Sequence, residues 1–312
     1  MEFYNQFIIN PEKFRIPQYN ISPFHTGWVK ENYNILQSNQ SINKDLLTLY
    51  FGNFVFLESG KSALYNALNQ YKLQENDEVY IVTTTGNRYI SSCVTGEIEK
   101  YCKWSRQLSD KTKLVLVNHE FGVVCKEMDK ILRLNLPIIE DVAMSLFSTD
   151  ENKQTGNYGD FAIYSLPKFF PVQSGGILKI NKPDHYINSC NLDSDLSIAF
   201  QKLLSYYLSD IENIKHIRKS NNSLFNYHLS KLQGFKSRFD YSYDETPSVF
   251  MCSTPPSIDL DGLKIFLQQN GVESSVFYGE NAFFIPVHQC LEEEDVLFIV
   301  SLINYFCDDK YK

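Results

Sequence analysis

From Phe54 onward, short wholly apolar runs alternate with longer stretches in which apolar residues recur three and four apart. The runs at 54–57, 79–82, 114–117 and 137–139 are apolar at every position, which predicts strands buried on both faces rather than strands with one wet face. After the first run, Ser59-Gly60 breaks the chain, and Ala63, Leu64, Ala67, Leu68 and Tyr71 then fall on one helical stripe. Strand, tight turn and helix follow in that order. Two more strands are predicted at 161–164 and 176–180. The pattern predicts an α/β fold: a mostly parallel sheet with helices on both faces.

Beyond Pro183 the character changes. Residues 196–232 read as long helix, with Leu196, Phe200, Leu203, Leu204, Tyr207, Leu208 and Ile211 on one stripe. A strand at 249–252, a helix from about Leu260 stopped by Asn270-Gly271, a strand near 283–285 and a last helix through 296–306 complete the chain. The expected organisation is an N-terminal arm at 1–45, a large α/β domain at 46–190 and a smaller α+β domain at 191–312.

Composition narrows the function more than the fold. The 312 residues are 43% hydrophobic and 21% charged, which is ordinary globular chemistry. A formal charge of −8, with no cluster of Lys and Arg, argues against nucleic acid as a partner. No run of about 18 apolar residues and no leader pattern after Met1 are found, so a cytoplasmic protein without a membrane span is expected. The seven cysteines and six histidines show no paired metal spacing, so no metal site is expected.

Three places can carry chemistry. Ser59-Gly60-Lys61-Ser62 opens a helix, where free N–H groups and the helix dipole suit a phosphate and Gly60 allows close approach. A capped helix start explains the same residues, and Val55 stands where a nucleotide-binding P-loop needs glycine. Asp141 ends an apolar strand, where open α/β sheets bind ligands. Lys168 lies in Leu166-Pro167-Lys168-Phe169-Phe170-Pro171, an apolar setting that favours a neutral, nucleophilic amine. His119 is read as packing near the sheet edge, His288 as structural, and Tyr164 and Phe169 as core or pocket wall.

Taken in order, these segments resemble the sugar-nucleotide aminotransferases of the DegT/StrS type, pyridoxal-phosphate enzymes of fold type I. The resemblance is carried by Ser59-Gly60-Lys61-Ser62-Ala63-Leu64, Asn76-Asp77-Glu78-Val79, Asn118-His119-Glu120-Phe121-Gly122, Ile139-Glu140-Asp141-Val142-Ala143, Gly156-Asn157-Tyr158-Gly159-Asp160 and Ile285-Pro286-Val287-His288. It implies that Lys168 forms the Schiff base with the cofactor and that Asp141 pairs with the pyridinium nitrogen. It also implies that Gly60, Lys61, Ser62 and Ser165 hold the phosphate. The implied reaction moves an amino group, from glutamate as donor, to a nucleotide-linked keto-sugar, in a homodimer.

Several positions depart from the family. Lys61 replaces Thr or Ser, Met144 replaces Gln, and Ser174 replaces Glu. The segment 83–88, where the family sets an aromatic or His against the cofactor ring, holds only Thr, Gly, Asn and Arg, so Asn87 or Arg88 is the expected substitute. Three residues separate Ser165 from Lys168 (168 − 165), against about five in the family. Two alternatives stay open: a relative with altered, dehydratase-like chemistry on the same cofactor, and a catalytically degenerate scaffold or partner subunit.

Overall fold

The computed structural model describes residues 18–87, 89–182 and 193–310. Residues 1–17 of the expected arm, Arg88 and the expected domain boundary near 190 lie outside them. A seven-stranded sheet, in the order β1-β7-β6-β5-β4-β2-β3, is built from β1 (Phe54–Leu57), β2 (Glu78–Thr83), β3 (Lys103–Ser105), β4 (Thr112–Asn118), β5 (Ile138–Asp141), β6 (Phe161–Ser165) and β7 (Gly176–Ile180). Strands β3, β2, β4, β5 and β6 run parallel, while β7 is antiparallel to both β6 and β1. The expected mostly parallel sheet is therefore present, with one reversed strand near its edge.

Both faces of this sheet are dry, which is why its strands read as unbroken apolar runs. Leu114 and Leu116 pack with Ala63, Leu64, Ala67 and Leu68 of the helix Gly60–Leu68 and with Val94 and Ile98 of the helix Ser92–Ile98. Val115 and Val117 point the other way, onto Met128 and Ile131 of the helix Met128–Leu132. Farther along that face, Phe56, Ala162, Tyr164 and Ile177 meet the helices Trp28–Gln37, Lys44–Phe51 and Ser194–Leu208.

The expected long helix at 196–232 is two helices, Ser194–Leu208 and Ile211–Leu229, separated at Ser209-Asp210. The first packs on the large sheet through Phe200, Leu203, Leu204 and Tyr207. The second reaches a separate core, where Phe225 and Leu229 meet the helices Leu260–Gln269 and Glu293–Lys310. That core backs a four-stranded antiparallel sheet, β10-β11-β9-β8, of β8 (Lys236–Ser237), β9 (Phe250–Ser253), β10 (Ser275–Val276) and β11 (Ala282–Ile285). Tyr19 pairs with Val272, so residues just before the first helix run beside this second unit. No helix among the described residues is long and apolar enough to cross a membrane.

Candidate active site

The parallel strands all deliver their carboxyl ends to one edge of the large sheet, where open α/β sheets carry ligand sites. A cavity of about 340 Å³ lies there, lined by Gly60, Lys61, Asn118, Asp141, Ser165 and Lys168 among others. Phe284 of β11 and Ile21 close it from the smaller unit and the N-terminal segment.

The turn at Ser59 is shaped by a cap. Ser59 Oγ accepts a hydrogen bond from Ser62 N at 3.1 Å and lies 3.1 Å from Ser62 Oγ, which satisfies an early N–H of the helix. Ser62 is thus occupied by the cap, and the cavity wall is formed by Ser59, Gly60 and Lys61 instead. A Cβ on Gly60 would stand 3.1 Å from Ser165 Cβ, so the turn and the end of β6 nearly touch. The short spacing between Ser165 and Lys168 therefore still leaves Ser165 beside the turn, with its hydroxyl unbonded among the described residues. Gly176 secures the approach from below: a Cβ there would fall 2.2 Å from Ser59 C and 2.6 Å from Gly60 N.

Asp141 and Glu140 point to opposite faces of the sheet because they are consecutive in a strand. Glu140 is buried and accepts hydrogen bonds from Gly156 N, Tyr158 N and Gly159 N at 2.7–2.8 Å. His119 joins it: Nδ1 accepts from Cys125 N, so Nε2 carries the proton and donates to Glu140 at 3.1 Å. These two residues brace the loop behind the sheet and do not line the cavity. Asp141 does line it, and its Oδ1 accepts from Ala143 N at 3.0 Å. Burial pushes the Asp141 carboxyl above its ordinary pKa, opposed by the Ala143 N–H and electrostatically by His119 and Lys168.

Lys168 ends a single 3₁₀ turn, Leu166–Lys168, in which Pro167 fixes the backbone. Leu166, Phe169 and Phe170 are fully buried and pin both ends of the turn, which leaves the lysine side chain facing the cavity. Its ammonium makes no hydrogen bond or salt bridge with any described residue. Beneath it, the buried Arg218 of the helix Ile211–Leu229 donates to Lys168 O at 3.2 Å, Phe169 O at 3.5 Å, Pro247 O at 3.4 Å and Gln289 Oε1 at 2.9 Å.

Of the residues singled out in the sequence, Gly60, Lys61, Asp141, Ser165 and Lys168 meet at this cavity. Asn87 does not: its Nδ2 donates to Glu280 Oε1 at 3.0 Å and its Oδ1 accepts from Tyr89 N at 2.7 Å. An aromatic ring does stand on the wall, but it is Tyr89, one residue past the segment where it was sought. It packs edge-on against Phe277 with ring centroids 5.7 Å apart. Asn118 and Glu120 were also missed as pocket groups. Glu120 is buried, its Oε2 held by Thr85 N at 2.8 Å and Thr85 Oγ1 at 2.6 Å, and burial pushes its carboxyl above the ordinary value. The alternation that turns His119 away from the cavity turns 118 and 120 toward it, a signal the strand pattern already contained.

A buried acid and an unpaired amine share this cavity with an anion-binding turn, and that set fits pyridoxal phosphate. An acid at the ring nitrogen, an amine for the aldehyde and backbone N–H groups for the phosphate are all supplied. The fold and the site together define a class, the fold type I pyridoxal-phosphate proteins. The family is shown by a family model described as "Putative PLP-dependent aminotransferase", which matches residues 20–238; the chain belongs to that family. GDP-perosamine synthase of Caulobacter vibrioides is 28% identical over 151 residues, an alignment covering 40% of this chain and 39% of that relative's length. The aminotransferase TlmJ from Streptoalloteichus hindustanus superposes with a TM-score of 0.74 at 14% identity, covering 95% of this chain and 100% of the other. A DegT DnrJ EryC1 StrS aminotransferase from Brucella abortus gives a TM-score of 0.67 at 16% identity, over 90% and 94% of the two chains. The resemblance to the DegT/StrS type and the expected fold class are borne out.

Proposed function

We propose that this protein is a pyridoxal-phosphate-dependent aminotransferase that moves an amino group, with glutamate as donor, to a nucleotide-linked keto-sugar. The observation that carries the reading is the convergence of Asp141, Lys168 and the Gly60 turn on one cavity at the carboxyl edge of the sheet. When bound, the cofactor supplies an aldehyde that condenses with amines, with loss of water, and a pyridine ring that takes up an electron pair from the reacting carbon.

The remaining work falls to the chain. Asp141, buried at the end of β5 and lining the cavity, would hold a proton at the ring nitrogen. Lys168 would anchor the aldehyde carbon and, once displaced, would move a proton between the cofactor carbon and the substrate carbon. Gly60 N–H, Lys61 and Ser165 bind the phosphate. Lys61 brings a charge where the family has a hydroxyl; its Nζ lies 3.3 Å from Glu97 Oε1, a buried carboxylate that Lys100 also holds. Tyr89, Phe121 and Phe284 wall the cavity and keep water from the reacting atoms. The similarity over part of the chain to GDP-perosamine synthase, whose name denotes a nucleotide-linked sugar, supports a nucleotide sugar as acceptor.

The division into a large cofactor-binding unit and a smaller unit is proposed to fall after the break Ser209-Asp210, within the helix Ile211–Leu229, whose Ile211 and Ile214 still pack with the large sheet's core while Phe225 and Leu229 lie in the second core. A cytoplasmic homodimer is proposed from the family resemblance, and light scattering on the purified protein tests the dimer. The reaction is tested by incubating the cofactor-loaded protein with glutamate and nucleotide-linked keto-sugars and following 2-oxoglutarate. Stoichiometric 2-oxoglutarate and amino-sugar nucleotide are expected. A protein that binds the cofactor yet releases no oxo acid from glutamate or any other amino donor would overturn the aminotransferase reading.

A further inference from the structure

A buried carboxylate behind the phosphate turn holds two lysines at once. Glu97, on the helix Ser92–Ile98, is only 1% exposed. Lys100 Nζ lies 2.7 Å from Oε2 and 2.9 Å from Oε1, and Lys61 Nζ lies 3.3 Å from Oε1. Two ammonium groups on one carboxylate leave one positive charge over. Lys61 is also the second residue of the helix Gly60–Leu68, whose first turn contains no acid. The helix dipole disfavours a cation there, so Lys61 needs a partner from outside its own helix, and Glu97 supplies it.

The two lysines are not equivalent. Lys100 bridges both oxygens of Glu97 and does not line the cavity; Lys61 meets one oxygen, at the longer distance, and lines the cavity beside Gly60. A buried carboxylate left without any cation is strongly unfavourable. With Lys100 in place, Glu97 can give up Lys61 and still be paired. A phosphate at the Gly60 turn carries up to two negative charges, against the single charge that Lys61 shares with Lys100, so the exchange runs toward the phosphate.

We propose that Glu97 holds Lys61 until the phosphate arrives, and that Lys100 makes the transfer of Lys61 possible by keeping Glu97 paired afterwards. The inference rests on the proposed placement of the cofactor phosphate at the Gly60 turn. Glu97 then competes with the phosphate for Lys61, and Lys100 is a positioning residue that acts through Glu97 and touches no ligand. Where the family has a hydroxyl at position 61, this chain has a charge whose availability is set by two residues outside the cavity. An ion cluster that merely braced Lys61 would behave in the opposite sense, because loss of Glu97 would weaken phosphate binding instead of relieving a competitor.

The test is the preference for pyridoxal phosphate over pyridoxal, taken as the ratio of the two dissociation constants from equilibrium titration of the visible band. Pyridoxal lacks the phosphate, so the ratio cancels what the ring contributes. Lys61→Met is expected to lower the preference about tenfold, the worth of one hydrogen bond to a charged group. Lys100→Met should lower it about threefold to tenfold, and no further than Lys61→Met. Glu97→Gln should leave it at the wild-type value or above, and adding Glu97→Gln to Lys100→Met should restore the wild-type preference. Lys61 and Lys100 are 56% and 52% exposed, so their variants keep the fold and decide the matter even if Glu97→Gln does not fold. A preference below wild type in Glu97→Gln, an unchanged one in Lys100→Met, or a double variant no better than Lys100→Met overturns this inference alone. An unchanged preference in Lys61→Met overturns it together with the assignment of Lys61 to the phosphate. A wild-type protein that takes up no cofactor overturns the Lys168 reading and this inference with it.

Discussion

Replacing Arg218 with Met tests how the Lys168 turn is held in place. The guanidinium is wholly buried, with no carboxylate paired with it among the described residues, and burial pulls its pKa below the ordinary value. It is kept by acceptors: three backbone carbonyls and Gln289 Oε1 receive its N–H groups, and its plane lies 5.0 Å from the Phe169 ring centroid and 5.7 Å from that of Phe147. Methionine fills much of the volume but returns no donor. Phe169 O keeps the bond from Gln289 Nε2 at 2.8 Å, whereas Lys168 O, Pro247 O and Gln289 Oε1 lose their donor. Each buried acceptor left bare costs about 1–3 kcal/mol. Release from burying a charge offsets part of this, leaving a net loss of about 3–5 kcal/mol, the range for breaking a buried charged contact. A fall in Tm of about 5–10 °C is expected by thermal melting. Arg218→Lys keeps the charge but not the planar fork, so it should recover less than half of the loss. A Met variant that melts within a degree or two of the wild type would refute the reasoning.

Three further outcomes follow from the same contacts. Gly176→Ala places a methyl 2.2 Å from the Ser59 carbonyl carbon, so the phosphate turn must shift; cofactor affinity, read by equilibrium titration of the visible band, should fall at least about tenfold, or about 1.4 kcal/mol. His288 is buried, with its pKa pushed down to about 3 by burial and by Arg218. The unfolded chain therefore binds the extra proton first, and this residue makes stability fall as pH drops from about 6.5 toward 3, by up to about 1.4 kcal/mol per pH unit. His288→Gln should flatten that part of the urea-denaturation pH profile, and an unchanged slope would contradict it. Asp141→Asn removes the charge that holds a proton at the ring nitrogen, and should cut amino transfer at least about a hundredfold, or about 2.7 kcal/mol, while Lys168 still takes up the cofactor.

The strands of the large sheet were legible because burial on both faces leaves no polar residue to interrupt the runs, as at Leu114-Val115-Leu116-Val117. Asp141 and Lys168 were legible because each interrupts such a setting with a charge. Strands β3, β8 and β10 were not, since two or three residues carry no period. The break at Ser209-Asp210 was hidden because the apolar stripe runs on across it: Ile211 and Ile214 join the core of Phe200, Leu203 and Leu204, and only Phe225 and Leu229 reach the second core. Nothing in the sequence around Arg218 marks it apart from the other charges of the helix Ile211–Leu229; only packing shows that it points inward. Tyr89, Phe284 and Ile21 come to the cavity from segments far apart in the chain, which no local pattern encodes.

The central claim is that Lys168 is the amine that holds the cofactor. The most direct measurement is borohydride reduction of the protein loaded with pyridoxal phosphate, followed by peptide mass mapping, with Lys168→Ala alongside. A visible band that reduction abolishes, with one pyridoxyl group on the peptide carrying Lys168 and none in the variant, is the predicted result. No band, or labelling scattered over surface lysines and unchanged in Lys168→Ala, would contradict the account.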